Sequence, residues 1–290
     1  MILYEKTPRL ASENLAINRI CAELVGNKEI DFLARFYYHK KGVILANNQS
    51  LNDLYTENCK NLTYEISKRP SGGSAIIVNP ELALCYSLFF KPDFLSTRFD
   101  FNTAYKKITF ELIKNLGQSF RVKGNYYLRY NGFPIAGHAM KNYSNSIQFD
   151  GVLHLLPLNV YEASKLIKLR KLGTNLGKKY VFMENQVYNL RGNAVKLKEN
   201  ELKILINEEE ELGKIIGLSQ TNLTLDEFLA AFYKTINALF GKQELLNEYS
   251  FDSDKIKKYE AKILSKDYLM KGRTCLGHCF IDLLEPEEEF

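Results

Sequence analysis

Asn131-Gly132 stands between two runs, Tyr126 to Tyr130 and Phe133 to Met140, that both read as strands. Asn-Gly accepts positive φ at the two central positions of a type I′ turn, whose twist joins antiparallel neighbours. The chain therefore contains an antiparallel hairpin, and the rest of the fold must accommodate it. Ile30, Phe32, Ala34, Phe36 and Tyr38 alternate strictly, the pattern of a half-buried strand. Gly42 to Ala46 reads as the hairpin partner of that strand. Tyr64 to Lys68, Ala75 to Val78 and Ile147 to Leu156 add further strands, and Leu82 to Phe90 reads as a buried one.

Helical spacing is equally clear elsewhere. Ser12 is placed to cap a helix running to about Gly26, with Ile17, Ile20, Cys21 and Leu24 on its apolar face. A short helix is predicted over Leu51 to Lys60, a long one over Asn102 to Leu116, and another over Tyr161 to Leu169. Thr224-Leu225-Asp226-Glu227 is a capping box, opening a helix with the stripe Phe228, Leu229, Phe232, Ile236, Leu239 and Phe240. A last helix is predicted from about Ser253 to Lys271. Strands and helices follow one another without a regular βαβ alternation. The expectation is an α+β fold, a mixed and mostly antiparallel sheet flanked by helices. Charge and weak periodicity, including Glu208 to Glu211, mark a connector over residues 194–222. It separates a larger domain, 1–193, from a small α-rich one, 223–290.

Several function classes are disfavoured. A net charge of +5 over 290 residues is mild, and the basic residues are not gathered in one block, so nucleic acid is not an expected partner. The most apolar stretch, Leu82 to Phe90, is far short of the ~20 residues a bilayer span needs. The N-terminus lacks the basic and apolar regions of a signal peptide, and five scattered cysteines read as reduced thiols. A cytoplasmic protein without a membrane partner is expected. Cys275, His278 and Cys279 lie close together, but a structural zinc needs four ligands, so no metal site is expected.

Two segments could carry chemistry. Lys68-Arg69-Pro70-Ser71-Gly72-Gly73-Ser74-Ala75 lies between two strands. Consecutive small residues let the backbone approach a ligand and turn N–H groups toward an anion, and the cations at its start add charge-assisted bonds. A tight hairpin with a basic start is the plain alternative. In Gly132-Phe133-Pro134-Ile135-Ala136-Gly137-His138-Ala139, Gly137 and Ala139 leave room for a ligand beside a strand, or for close sheet packing.

Taken together and in order, these motifs resemble the biotin/lipoate protein ligase family, in its lipoate-ligase and octanoyltransferase branch. Lys68-Arg69-Pro70-Ser71-Gly72-Gly73-Ser74-Ala75-Ile76 is similar to the family's Arg-Arg-x-Ser-Gly-Gly-Gly-Ala-Val. Glu13-Asn14-Leu15-Ala16 matches a Glu-Asn-Leu-Ala helix, Ala46-Asn47-Asn48-Gln49 a Gly-Arg-x-Gln strand end, and Asp150-Gly151-Val152-Leu153 a His-Gly-Thr-Leu strand. The resemblance implies a fold like that of class II aminoacyl-tRNA synthetases and biotin ligases. It implies ATP, Mg²⁺ and lipoate, and transfer of lipoate or octanoate, through an acyl-adenylate, to a lysine of a lipoyl domain or H-protein. On this resemblance Lys68, Arg69, Ser71, Gly72, Gly73, Ser74, Ala75, Gly137, Ala139 and Asp150 would contact the ligand.

The departures bear on catalysis. Where the family's second motif has a lysine that contacts the reacting carbonyl, this chain has Pro134. His138 lies an even number of residues on, which in a regular strand gives the same face; Lys141 lies an odd number on, which gives the opposite one. These two are the candidate substitutes, unless a partner subunit supplies the group. Three readings follow: an active lipoate or octanoate transferase, a family member that binds an acyl group or lipoyl domain without catalysis, or a ligase for another small acid.

Overall fold

The computed structural model of the chain describes residues 1–93, 101–123, 127–158, 163, 165–167, 180–183, 186–189, 194–195, 215–246 and 249–271. In chain order the elements begin with β1 (Ile2–Arg9), α1 (Ala11–Gly26), β2 (Phe32–His39), β3 (Gly42–Leu45), α2 (Thr56–Asn61), β4 (Glu65–Lys68), β5 (Ile76–Val78) and β6 (Ala83–Phe90). There follow α3 (Phe101–Leu116), β7 (Phe120–Lys123), β8 (Tyr127–Tyr130), β9 (Phe133–Asn142) and β10 (Ile147–His154). Then come β11 (Tyr180–Met183), β12 (Gln186–Asn189), β13 (Ala194–Val195), α4 (Leu225–Phe240), β14 (Leu245–Leu246), α5 (Ser253–Leu264) and α6 (Lys266–Met270).

An eight-stranded sheet in the order β14-β1-β2-β6-β10-β9-β8-β7 organises the molecule. It is parallel at β14/β1 and β1/β2 and antiparallel from β2 onward. The mixed, mostly antiparallel sheet flanked by helices is thus present. Asn131 and Gly132 both take positive φ, 47° and 88°, in the β8–β9 turn, as its type requires. Every residue of central β6 is buried.

Two local expectations need correction. β3 is not the hairpin partner of β2: it pairs with β4 and β5 in a second, three-stranded sheet. The flanks of β2 are taken by β6 and by β1, a strand the sequence reading did not identify, and α1 supplies the crossover that the parallel β1/β2 pair needs. Ser12 does not cap α1 with its own side chain. The carboxylate of Glu65 accepts from the Ala11 and Ser12 N–H groups at 2.6 and 3.1 Å, placing an anion at the helix N-terminus. The expected helix over Tyr161 to Leu169, the Glu208 to Glu211 run and the Cys275–Cys279 segment lie wholly or mostly outside the described residues.

Helices cover both faces of the large sheet. On one, α3 and α4 bring Tyr105, Ile108, Phe228 and Phe232 against Phe36, Tyr86 and Leu88. On the other, α1 brings Leu15 against Tyr37 and Cys85, and Ile17 and Cys21 against Leu33 and Phe89. The boundary at 223 does not separate two cores. The α4 stripe packs into the sheet, where each buried Phe contributes roughly 1.5–3 kcal/mol. β14 extends the same sheet, and α5 lies along α1, with Ser12 Oγ donating to Glu260 at 2.7 Å. The predicted capping box of α4 is formed: Thr224 N–H donates to Glu227 at 2.8 Å, and Glu227 N–H to Thr224 Oγ1 at 3.3 Å. Among the described residues no helix is long and apolar enough to cross a membrane.

Candidate acyl-binding site

The glycine loop joins β4 to β5 and folds around its own arginine. Arg69 Nη2 donates to the carbonyls of Gly72 and Ser74, both at 2.7 Å, and Nη1 to that of Ile44 at 3.3 Å. Gly73 takes φ +88°, and a Cβ there would stand 3.2 Å from Arg69 Nη2. A Cβ on Gly72, by contrast, would meet nothing within 4 Å. Burial pushes the Arg69 pKa down, with nearby Asp150 opposing.

The loop is fastened to the sheet through Asp150 of β10. Its Oδ2 accepts from Ser71 Oγ at 2.8 Å, and its Oδ1 from Ser87 Oγ and Gln148 Nε2, both at 2.7 Å. Burial raises the Asp150 pKa, while these three donors and Arg69 pull it down. Behind Ser87 the bonds continue. Asn18 Nδ2 donates to Ser87 Oγ at 3.0 Å, Arg35 donates to the side-chain oxygens of Asn18 and Asn14, and Arg35 Nε donates to Glu5 at 2.7 Å. The Asn14 of the Glu-Asn-Leu-Ala stretch is therefore a buried bracket between α1 and β2. Arg35, Asn18 and Ser87 were not read as site residues. For Arg35 and Ser87 the signal was present, since each interrupts an apolar run and such groups are buried only when bonded; Asn18, next to Arg19, gave none.

Between loop and sheet lies a cavity of about 390 Å³, toward the small end of the ~300–1,000 Å³ usual for ligand pockets. Arg69, Gly72, Gly73, Ser74 and Asp150 border one part of it; Leu15, Ile44, Ile77, Cys85, Val152 and Ile167 are among its apolar walls. Ala75, Pro134, Gly137 and Ala139 also line it. The Tyr127 ring packs 3.5 Å from where a Gly137 Cβ would stand.

Two expected ligand contacts lie elsewhere. Lys68 does not line the cavity: its buried ammonium donates to the Gln49 carbonyl at 2.7 Å and sits 5.6 Å from the Tyr268 ring centroid. Lys141 does not line it either. The face assignment from residue parity is overturned by a β-bulge. Pro134 pairs with Arg129 and Ala136 with Leu128, so Ile135 is an extra residue in β9. Ile135, Ala136 and Leu128 all enter the same core. An added residue inverts the alternation beyond it. Pro134 thus shares a face with Gly137, Ala139 and Lys141, and His138 points through the other. There His138 Nε2 lies 2.6 Å from the Tyr86 hydroxyl and Nδ1 3.5 Å from that of Tyr105, with its ring 5.1 Å from that of Phe149. The residue itself borders the cavity, but its imidazole is held in an aromatic box.

The cofactors implied by the resemblance fit unequally. An acyl chain suits the apolar walls. A polyphosphate does not suit the described residues. Arg69 is the one Lys or Arg among those that line the cavity, its Nη atoms are engaged by backbone carbonyls, and the Asp150 carboxylate stands beside it. No cluster of three or more His, Cys, Asp or Glu that could hold a metal occurs among the described residues.

The lipoyl protein ligase A/B catalytic domain matches residues 11–202, and the chain belongs to that family. The solved structures it resembles include a bi-partite lipoate protein ligase, described with its E2 lipoyl domain, from Thermoplasma acidophilum. That likeness has 15% identity, covers 99% of this chain and 98% of the other, and has a TM-score of 0.62. P. falciparum LipL1 in complex with lipoate is similar at 14% identity, over 93% of this chain and 74% of that one, with a TM-score of 0.59. A lipoate-protein ligase A bound with ATP is similar at 13% identity, over 92% and 96%, with a TM-score of 0.57. At these identities the likeness establishes the shared fold. No curated protein matches the sequence.

Proposed function

We propose that this chain holds a lipoate- or octanoate-type acyl group in the cavity and serves protein lipoylation in the cytoplasm, with a lysine of a lipoyl domain or H-protein as the eventual acceptor. The observation that carries the reading is the pairing of an apolar cavity with a braced, anchored glycine loop; on the motif resemblance, Pro134 stands where the family has its lysine. The walls take the chain of the acid. The loop residues Gly72 to Ser74, held in shape by Arg69 and Ser71, border the space left for its carboxyl end. Stabilising a reacting carbonyl needs a positive or hydrogen-bonding group aimed at it, and losing one such donor costs about 10²–10³ in rate. Neither the His138 imidazole nor a cavity lysine supplies one, so a partner subunit is the proposed source of that group. Free thiols at Cys21, Cys59 and Cys85 accord with a reducing compartment.

The second reading is a complete ATP- and Mg²⁺-dependent ligase or an octanoyltransferase. One observation favours it: the bulge returns Lys141 to the face of Pro134. The two are separated by incubating purified protein with ATP, Mg²⁺ and lipoate, or with an octanoyl donor, and a lipoyl domain. Acceptor modification by the wild type, lost in Lys141→Met, establishes the second. Lipoate or octanoate binding without modification, and modification regained in Pro134→Lys, establishes the first.

A further inference from the structure

One ring nitrogen among the cavity-lining residues has no hydrogen-bond partner among the described residues. His154 ends β10, is 8% exposed and lines the cavity. Among the described residues nothing hydrogen-bonds its Nδ1. Its fellow wall residues include Ile77, Val152, Leu158, Ala163 and Ile167. An imidazole buried without a partner among apolar side chains is costly, and a leucine would serve that wall better if the ligand ended in a methyl group. Burial holds the ring neutral, with its pKa pushed down to about 4. It therefore offers one N–H and one lone pair.

The strand fixes where this ring stands. Asp150, Val152 and His154 alternate onto one face of β10, opposite Ser87, Cys85 and Ala83 of β6. Asp150 fastens the glycine loop at the head-group part of the cavity. Four residues of strand put His154 roughly 13 Å away, past Val152 and Cys85, the scale of an extended medium-chain acid.

We propose that the cavity selects acyl chains bearing a hydrogen-bonding group, a hydroxyl or thiol, at the end remote from the carboxyl, and that His154 is the residue that recognises it. This rests on the acyl-binding reading above. The other unpartnered buried atom in the lining, Asn48 Oδ1, belongs to the loop part, since neighbouring Asn47 N–H donates to the Ser71 carbonyl at 2.9 Å.

The test compares octanoate with 8-hydroxyoctanoate by calorimetry on the full chain near neutral pH. The expected result is about fivefold tighter binding of the hydroxy acid, from one satisfied buried hydrogen bond. His154→Leu should reverse that order, and His154→Gln should keep it. Octanoate binding as well as or better than 8-hydroxyoctanoate to the wild type overturns the inference and leaves the acyl-binding reading standing. A preference that persists in a folded His154→Leu protein overturns it too. Binding of neither acid sinks the acyl-binding reading, and this inference with it. Should His154→Leu fail to fold, the wild-type pair and His154→Gln still decide.

Discussion

Ser71 Oγ donates to Asp150 Oδ2 at 2.8 Å, so one side-chain bond ties the glycine loop to the middle of the large sheet. Asp150 also accepts from Ser87 and Gln148. Asp150→Ala therefore strands three donors at once. It is expected to lose roughly 1–3 kcal/mol of stability and, beyond that, to weaken acyl binding by freeing the loop. Asp150→Asn, which retains acceptor capacity, should recover most of the stability. Denaturant unfolding and ligand titration of the two variants check this; full affinity in Asp150→Ala would deny the loop its anchor.

Gly72 and Gly73 are neighbours with opposite tolerances. At Gly73 a side chain meets both a left-handed backbone and Arg69, so Gly73→Val should lower the melting temperature through ~1–3 kcal/mol of strain. At Gly72 a Cβ has open space, and the residue borders the cavity. Gly72→Val should leave the melting temperature within a degree or two of wild type while weakening acyl binding by about tenfold, an overpacking penalty of order 1–3 kcal/mol. A tighter-binding Gly72→Val protein would show that the loop turns away from the ligand.

How much of this was legible in the sequence depended on the range of the forces involved. Asn131-Gly132, the alternation in β2 and the Thr224–Glu227 box are local, and each appeared where its residues stood. β1 was missed because its burial comes from β2 and α1, not from its own short pattern. β3 was given the wrong partner because strand pairing is a tertiary choice between equally apolar edges. In the site, the loop was readable from its small residues, but parity counting from Pro134 failed at Ile135. A bulge is a mismatch between two strands, and neither strand's sequence alone declares it. The Arg35–Asn18–Ser87–Asp150 chain was likewise scattered over four elements, β2, α1, β6 and β10, visible only as single polar residues in mostly apolar stretches.

His138 is expected to serve the core. His138→Phe removes the partner of the Tyr86 hydroxyl and should destabilise the fold by about 1–3 kcal/mol. Acyl affinity should stay within about twofold of wild type, since the imidazole faces Tyr86, Tyr105 and Phe149. A well-folded His138→Phe protein that binds no acid would place the ring against the ligand after all.

Acid should destabilise the protein over a definite window. Burial lowers His154 to about 4 and His39 to about 3 from an ordinary 6.5. The unfolded chain thus takes up protons below about 6.5 that the folded one refuses. Stability is complete above that pH and falls as pH drops toward 4, by about 3 kcal/mol for His154 alone. Asp150 shifts the opposite way and offsets part of the loss at the acid end. Unfolding midpoints measured from neutral pH down to about 4 should show this slope, and His154→Leu should flatten it; an unchanged slope in that variant would mean the ring already titrates in the folded state.

The placement of α4 sets an order of events during synthesis. Phe32, Phe36 and Tyr86 leave the ribosome early, yet Phe232 and Phe240, which stack against them, are made only near the end. At ~5–20 residues per second the nascent chain carries that aromatic face without its α4 cover for on the order of ten seconds. β1, the first strand made, cannot gain its outer neighbour β14 until residue 246 has emerged. Translation stalled before residue 225 would therefore release a chain with most of its residues but with this apolar face uncovered by α4, and the cell's chaperones, rather than the chain's own local structure, must guard the interval.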